Sequence, residues 1–185
     1  MTAICLGIAV LIYFFKRYVD GPVFAEKDVD LKGKVAVVTG GNGGIGFEVV
    51  KELAVMGCYV VIGARNRQNA EESIKKIKEI NCKAQVEFIY LDLASKTSIQ
   101  EFSNAINAEK IDFLVNNAGV MGISSRKLTE EGAEMHWAVN HLGHFYLTYL
   151  LWNKLIKSTS FRIVNVSSRG HRWYIGFFQT VSLDF

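Results

Sequence analysis

The sequence predicts an α/β fold in which a doubly wound parallel sheet carries helices on both faces. Three observations predict it. Short apolar segments alternate with amphipathic helical segments, a glycine-rich turn joins the first strand to the first helix, and polar motifs follow two of the later strands. Repeated strand–helix–strand units of these lengths favour a parallel sheet, because each helix returns the chain to the edge where the preceding strand began.

The predicted elements follow one another at short intervals. The spacing predicts strands at 34–38, 59–63, 86–91, 111–115 and 161–166. It predicts helices at 44–55, 69–80, 98–106 and 130–157, of which the last is rich in leucine and aromatic residues. Either Ser95 or Thr97 is expected to cap the third helix, because both side chains can accept a backbone N–H at a helix start.

The composition indicates a globular chain. Of the 185 residues, 50% are hydrophobic and 21% are charged, and the formal net charge is +3. Lys75, Lys76 and Lys78 alternate with glutamates on one predicted helix, so a solvated helix face is expected and nucleic-acid binding is not. The three cysteines form no CxxC pair, and no carboxylate or cysteine accompanies His141 and His144, so we predict neither a disulfide framework nor a metal site.

The N-terminus is strongly apolar. Residues 3–15 form an uninterrupted apolar run that Lys16 and Arg17 follow. With its flanking residues the run approaches the roughly 20 residues of a membrane-spanning helix. We therefore predict an apolar helix that anchors the chain in a membrane over residues 1–19, with a cleaved signal or a helix packed on protein as the alternatives. The basic pair predicts that the domain after it faces the cytoplasm, and residues 20–32 are predicted to be a linker.

The glycine-rich turn predicts a dinucleotide site on a Rossmann-type sheet. Residues 39–46 lead from the first strand into the first helix. Without side chains a phosphate can approach the backbone, and the amides at the helix start and the helix dipole favour its charge. The glycines fit three patterns: GxGxxG uses Gly41, Gly43 and Gly46; TGxxGxxG uses Gly40, Gly43 and Gly46; TGxxxGxG uses Gly40, Gly44 and Gly46.

The end of the second strand indicates which dinucleotide is bound. Sheets that bind NAD usually carry Asp or Glu there, which hydrogen-bonds the ribose 2′-hydroxyl. This sequence instead has Arg65 and Asn66. A guanidinium matches a 2′-phosphate in charge and geometry. NADP(H) is therefore predicted in preference to NAD(H), with a solvated arginine at the start of a surface helix as the alternative.

Three further motifs lie at the ends of later elements. Asn116-Asn117-Ala118-Gly119 follows the fourth strand, Asn140 lies on the long helix, and Ser167-Ser168 ends the fifth strand. With TGxxxGxG, these motifs resemble the short-chain dehydrogenase/reductase family over residues 33–171, and the residues around them resemble its retinol-dehydrogenase-like branch. The resemblance implies an oxidoreductase that acts on a small lipophilic, retinol-like alcohol or carbonyl at the endoplasmic reticulum membrane. The Asn-Asn-Ala-Gly motif argues against an epimerase, which TGxxGxxG alone would suggest.

The resemblance also implies roles for single residues. Ser168, or less favourably Ser167, would polarise the reacting oxygen. Asn140 would position a water of the proton relay, unless it only packs within the helix. Asp92 and Leu93 would contact the adenine, although Asp92 could instead cap the next helix. The residues implied to bind the cofactor lie in the glycine turn and after the strands: Gly40, Asn42, Gly44, Ile45, Gly46, Arg65, Asn66, Asp92, Leu93, Asn117, Ala118 and Gly119.

The family's Tyr-x-x-x-Lys pair, which moves the proton, has no match in the 185 residues. Phe178 stands four residues after Tyr174, and no lysine follows Lys157. A phenol with a pKa of about 10 needs a nearby cation to act as a base near neutral pH. We therefore expect residues 33–185 to be a partial domain, incomplete at the C-terminus, and the chain to be an inactive truncated form. The alternative is a non-catalytic dinucleotide-binding or partner-binding protein.

Overall fold

The structure, a computed structural model, describes residues 29–168. The predicted anchor at 1–19, most of the predicted linker and the segment 169–185 lie outside the described residues. Within residues 29–168, the helices are too short or too polar for any of them to span a membrane.

Five parallel strands form one sheet in the order β3-β2-β1-β4-β5. They are β1 (Val35–Thr39), β2 (Tyr59–Ala64), β3 (Val86–Tyr90), β4 (Phe113–Asn116) and β5 (Arg162–Asn165). Thr39 lies opposite Gly63, and Asn116 lies opposite Asn165, so the carboxyl ends of the strands share one edge. The strand order reverses at β1, and such a reversal opens a crevice at that edge. The predicted α/β class with a parallel sheet is confirmed.

Helices connect the strands. They are α1 (Gly44–Val55), α2 (Arg67–Ile80), α3 (Lys96–Ala105), α4 (Met135–Trp137) and α5 (Gly143–Leu155), with a π-helical turn, Ala138–Leu142, between α4 and α5. The Ser95 side chain accepts the N–H of Ser98 at the start of α3, so Ser95 rather than Thr97 is the cap. Asn66 caps α2 in the same way by accepting the N–H of Asn69.

The prediction of one helix over 130–157 was wrong at its start, since helical structure begins only at Met135, and it extended past the observed end at Leu155. A tight turn occupies its first residues, because Gly132 has a φ of 82° and its N–H donates to the carbonyl of Thr129. Glu134 pairs with Leu128 in an isolated antiparallel bridge, and its side chain then caps α4. The glutamates and Ala133 around this turn are good helix formers, but the left-handed glycine separates the turn from the helix.

The core has one layer on each face of the sheet. On one face α3 and α5 place Phe102 and Leu147 against Val37 of β1. On the other face α1 places Val50 against Val38 of the same strand. Neighbouring residues of β1 therefore point to opposite layers, and both layers are apolar, which is why this strand is a continuous apolar run in the sequence.

Candidate functional site

Three glycines shape the turn between β1 and α1. Gly40 has a φ of +66° and Gly44 a φ of +53°, which L side chains rarely adopt. A Cβ atom on Gly46 would lie 2.3 Å from the Gly40 carbonyl oxygen. Gly43, in contrast, is extended with a φ of 175°, and a Cβ atom there would meet nothing within 4 Å. The geometry therefore favours TGxxxGxG over the two patterns that need Gly43.

Thr39 joins this turn to the end of β4. Its buried hydroxyl accepts the backbone N–H groups of Asn117 and Ala118, both at 2.9 Å. The Asn117 side chain donates to the carbonyls of Thr39 and Gly40 at 2.9 and 3.3 Å. A Cβ atom on Gly40 would lie 2.9 Å from the Cα atom of Ala118. The turn and the Asn-Asn-Ala-Gly motif thus form one hydrogen-bonded unit.

A cleft of about 490 Å³ opens at the carboxyl edge of the sheet beside this unit. It brings together every predicted cofactor residue except Gly44. Gly44 does not line the cleft but shapes the turn through its positive φ. The predicted residues that line the cleft are Gly40, Asn42, Ile45, Gly46, Arg65, Asn66, Asp92, Leu93, Asn117, Ala118 and Gly119. The cleft also includes Gly43, which belongs to two of the three glycine patterns. It further includes residues that the sequence did not indicate: Gly63, Ala64, Asn69, Leu91, Val120 and Val139.

Arg65 stands directly after β2 at one end of the cleft. It is exposed, and within residues 29–168 it forms no hydrogen bond or ion pair. Arg67 differs, because its guanidinium lies 5.0 Å from the centre of the Phe88 ring and 3.4 Å from the Glu71 carboxylate, and it does not line the cleft. Of the two arginines, Arg65 is the one that can turn its guanidinium to a ligand.

Asp92 and Leu93 form the wall of the cleft after β3. The Asp92 carboxylate accepts the N–H of Ala94 at 2.9 Å, so it closes the turn before α3 but is not the cap of that helix. Leu93 lies against the start of α5, where a Cβ atom on Gly143 would be 2.5 Å from the Leu93 carbonyl oxygen. This role of Gly143 could not be predicted from the sequence, because the contact joins distant segments.

Asn140 lies in the π-helical turn and holds the loop after β4. Its side-chain oxygen accepts the N–H of Val120 at 2.8 Å, and its amide nitrogen donates to the Val120 carbonyl at 3.0 Å. A side-chain amide has two N–H groups and two lone pairs, so one of each remains for another partner. Asn140 is therefore more than a packed helix residue.

Ser167 and Ser168 follow β5 and are exposed at the same edge of the sheet. The N–H of Val166 donates to the Asn116 carbonyl at 3.0 Å, which continues the β4–β5 pairing up to the serines. The Asn116 side chain also donates to that of Asn165 at 2.8 Å. Ser168 thus lies beyond β5, next to the strand that carries the Asn-Asn-Ala-Gly motif.

His141 and His144, which were considered as metal ligands in the sequence analysis, contact other groups in the structure. The His141 ring stacks on Trp137, with 4.4 Å between the ring centres. His144 is only 6% exposed, and its Nε2 atom lies 2.8 Å from the Thr39 hydroxyl. Among residues 29–168 no group of three or more His, Cys, Asp and Glu side chains could hold a metal ion. The sequence missed the Thr39–His144 contact, because these residues are 105 positions apart.

Comparison with known proteins gives one consistent result. The short chain dehydrogenase family model matches residues 34–177. The chain is 48% identical over 181 residues to human retinol dehydrogenase 11, covering 92% of this chain and 57% of that protein. It is 42% identical over 176 residues to human polyprenol dehydrogenase, covering 90% of this chain and 52% of that protein. The chain thus spans about half the length of these relatives.

A solved structure shares the fold. A metagenomic short-chain oxidoreductase in complex with NADP superposes with a TM-score of 0.64 and 29% sequence identity. The match covers 75% of this chain and 63% of that one.

Proposed function

Since the chain belongs to the short-chain dehydrogenase family, in its retinol-dehydrogenase-like branch, we propose that its cleft binds NADP(H) for oxidation or reduction of a lipophilic alcohol or carbonyl. The observation that carries the proposal is the cleft beside the glycine turn, which gathers the predicted cofactor residues. A pyrophosphate would lie at the start of α1, where Ile45 and Gly46 line the cleft and Gly46 has no side chain.

The preference for NADP(H) rests on the end of β2. No carboxylate stands there to accept a ribose 2′-hydroxyl, and exposed Arg65 would hold a 2′-phosphate beside Asn66. Asp92 and Leu93 would border the adenine, and Asn117, Ala118 and Gly119 would run along the remainder of the cofactor. The oxidoreductase of similar fold that was solved with NADP supports this choice.

The test is a calorimetric comparison of NADPH and NADH binding to the full 185-residue chain in detergent. Losing a charge-assisted contact costs about 1.5–3 kcal/mol, so we expect NADPH to bind roughly tenfold or more tightly than NADH. Arg65→Asp should reverse the preference. Arg67→Asp is the matched control, because Arg67 lies two residues on but outside the cleft, and it should leave the preference unchanged. Equal affinities in the parent chain would show that Arg65 is a solvated surface residue.

The nicotinamide would supply or accept the hydride. In this proposal Ser168 hydrogen-bonds the reacting oxygen, and the free N–H or lone pair of Asn140 holds a water of the proton relay. The phenol and lysine that complete such a relay in the family have no match in the 185 residues. We therefore propose that this chain alone binds the cofactor without turnover. A non-catalytic dinucleotide-binding role is the second candidate.

We also propose that residues 1–19 anchor the chain in the endoplasmic reticulum membrane with the domain on the cytoplasmic side. The uninterrupted apolar run and the basic pair after it support this placement. Deleting residues 1–20 should release the protein from membranes washed with carbonate, whereas the full chain should remain. Protease added outside intact microsomes should digest the domain. A full chain that is released by carbonate would contradict the anchor.

A further inference from the structure

We propose that His144 is a positioning residue for the dinucleotide cleft: it accepts the proton of the Thr39 hydroxyl and thereby fixes the backbone amides of Asn117 and Ala118. The inference rests on the proposed dinucleotide binding. It assigns a role to a side chain that lies beneath the cleft and does not line it.

The hydrogen bonds around Thr39 determine the direction of this contact. A hydroxyl has one proton and two lone pairs. The N–H groups of Asn117 and Ala118, both at 2.9 Å, occupy the two lone pairs. The proton must then go to Nε2 of His144 at 2.8 Å or to the Val115 carbonyl at 3.4 Å. The shorter contact is within the usual range for a hydrogen bond, and the longer one is weak.

This direction fixes the tautomer of His144. Because Nε2 accepts, the ring proton is on Nδ1, which lies 3.4 Å from the Asn140 carbonyl oxygen. A protonated ring would present a second N–H to the Thr39 oxygen, whose lone pairs are both occupied. That proton would displace an amide of the Asn-Asn-Ala-Gly motif from Thr39. The neutral ring is therefore the form that preserves the cleft.

The surroundings of His144 favour the neutral ring. Burial lowers its pKa, and the nearby Asn140 carbonyl opposes this only in part. Within the described part of the chain, the charge of His141 on the π-helical turn also acts on the His144 ring. This charge lowers the pKa of His144 further. From β1 the ring meets the uncharged Thr39 hydroxyl, and beyond it lie the uncharged amides at the end of β4.

Thr39 affects the shape of the cleft because Asn117 and Ala118, which it binds, pack directly against the glycines of the turn. A Cβ atom on Gly46 would lie 2.5 Å from the Asn117 side-chain nitrogen, and one on Gly40 would lie 2.9 Å from the Ala118 Cα atom. If the Thr39 hydroxyl rotates toward Val115, the Asn117 and Ala118 amides lose a well-directed acceptor. The wall of the cleft then shifts on both sides of the turn.

Two substitutions of His144 separate positioning from packing. In His144→Gln the side-chain oxygen reaches the place of Nε2 and can accept the Thr39 proton, but it does not titrate. His144→Leu fills a similar volume without an acceptor. At pH 7.5, His144→Leu should weaken NADPH binding about tenfold, and His144→Gln should stay within about threefold of the parent. Leucine binding as tightly as the parent, or glutamine binding as weakly as leucine, would overturn the proposal.

The pH profile adds a readout that packing alone would not change. As the pH falls below 6.5, the ordinary pKa of histidine, the parent should lose NADPH affinity more steeply than His144→Gln, since only the parent gains a proton at this position. Parallel profiles would overturn the proposal. This comparison also stands if His144→Leu does not fold.

Hydrogen exchange distinguishes a failure of this inference from a failure of dinucleotide binding. In the ligand-free full chain, the amides of Asn117 and Ala118 should exchange faster in His144→Leu than in the parent, and His144→Gln should restore the parent rate. A parent that binds no NADPH but shows this pattern would refute only the proposed function. Unchanged exchange in His144→Leu would refute the role of His144. In a Thr39→Val background, where the hydroxyl is absent, His144→Leu should have no further effect on exchange.

Discussion

A side chain on Gly46 would collide with Gly40, since an added Cβ atom would lie 2.3 Å from the Gly40 carbonyl oxygen. The first turn of α1 and the end of β1 therefore approach as closely as the backbone allows. The amides at the start of α1 come near the cleft only because of this approach, so a dinucleotide site in this chain depends on a glycine at position 46.

Gly46→Ala should abolish NADPH binding and lower the free energy of unfolding by about 1–3 kcal/mol, because the added methyl group forces the turn apart. Gly43→Ala is the matched control, because a Cβ atom there meets nothing within 4 Å. The control, which also lines the cleft, should change stability by less than about 0.5 kcal/mol. Calorimetry and urea denaturation measure both quantities. Parent-like NADPH binding by Gly46→Ala would mean that the pyrophosphate does not lie at this turn.

Asn140 should stabilise the loop after β4, independently of any role in chemistry. Asn140→Ala removes both hydrogen bonds to Val120, and we expect a loss of about 1–2 kcal/mol in unfolding free energy with faster hydrogen exchange at the Val120 amide. Asn153→Ala, an exposed substitution on α5, is the control and should change neither. Unchanged exchange at Val120 in Asn140→Ala would contradict this function of the side chain.

Asp112 should make the stability of the domain depend on acid pH. Burial raises the pKa of its carboxyl, but hydrogen bonds from Ser158, Val35 and Lys34 outweigh burial and hold the pKa below its ordinary value of 3.8. A lowered pKa in the folded state means that the stabilisation is complete above pH 3.8 and is lost as the pH falls through the folded value.

Asp112→Asn should therefore lower the unfolding free energy by about 2–3 kcal/mol at pH 7, and the deficit should shrink below pH 3.8 as the parent carboxylate is protonated. Urea denaturation at several pH values measures this. Asp30→Asn, at an exposed carboxylate that precedes β1, is the control and should leave stability almost unchanged. A deficit that does not depend on pH would assign the effect of Asp112→Asn to shape and not to charge.

Local patterns predicted most of the fold and most of the candidate cleft. The strands and helices arise from apolar runs and helical periodicity within single segments, and the glycine turn lies within eight consecutive residues. The choice among the three glycine patterns could not be made from spacing, because it depends on backbone angles at Gly43 and Gly44. The sequence also could not show that Gly132 adopts a positive φ and ends a turn, because a glycine within a helix looks the same.

Contacts between distant segments could not be predicted from the sequence. The Thr39–His144 hydrogen bond and the approach of Gly143 to Leu93 join residues whose spacing has no periodic signature. Without a periodic signature or a motif, a buried histidine is indistinguishable from any other helix residue. The cofactor residues were predictable because a phosphate and a ribose impose chemistry on short motifs, whereas the residues that support them are chosen by packing.

The 185-residue chain should bind NADPH but should not reduce a lipophilic aldehyde such as retinal. Reduction of a carbonyl needs a hydride and a proton at the same centre. Ser168 can hydrogen-bond the oxygen, but a serine hydroxyl is a poor proton donor, and the sequence contains no Tyr-x-x-x-Lys pair. A positioned acid contributes about 10²–10⁴-fold to a rate, and loss of one member of a coupled group removes most of the effect of the whole. The measurement is the decrease of NADPH absorbance with retinal in detergent.

The matched comparison is a longer chain in which Tyr-x-x-x-Lys follows residue 185. That chain should turn over, and Ser168→Ala within it should lose most of the rate while keeping its NADPH affinity, because the serine would meet the substrate oxygen and not the dinucleotide. Steady NADPH oxidation by the 185-residue chain itself would contradict the prediction. Another proton donor would then be required, and Tyr174→Phe and His171→Ala would be the first substitutions to test, since these side chains follow Ser168 most closely in the sequence and can carry a proton.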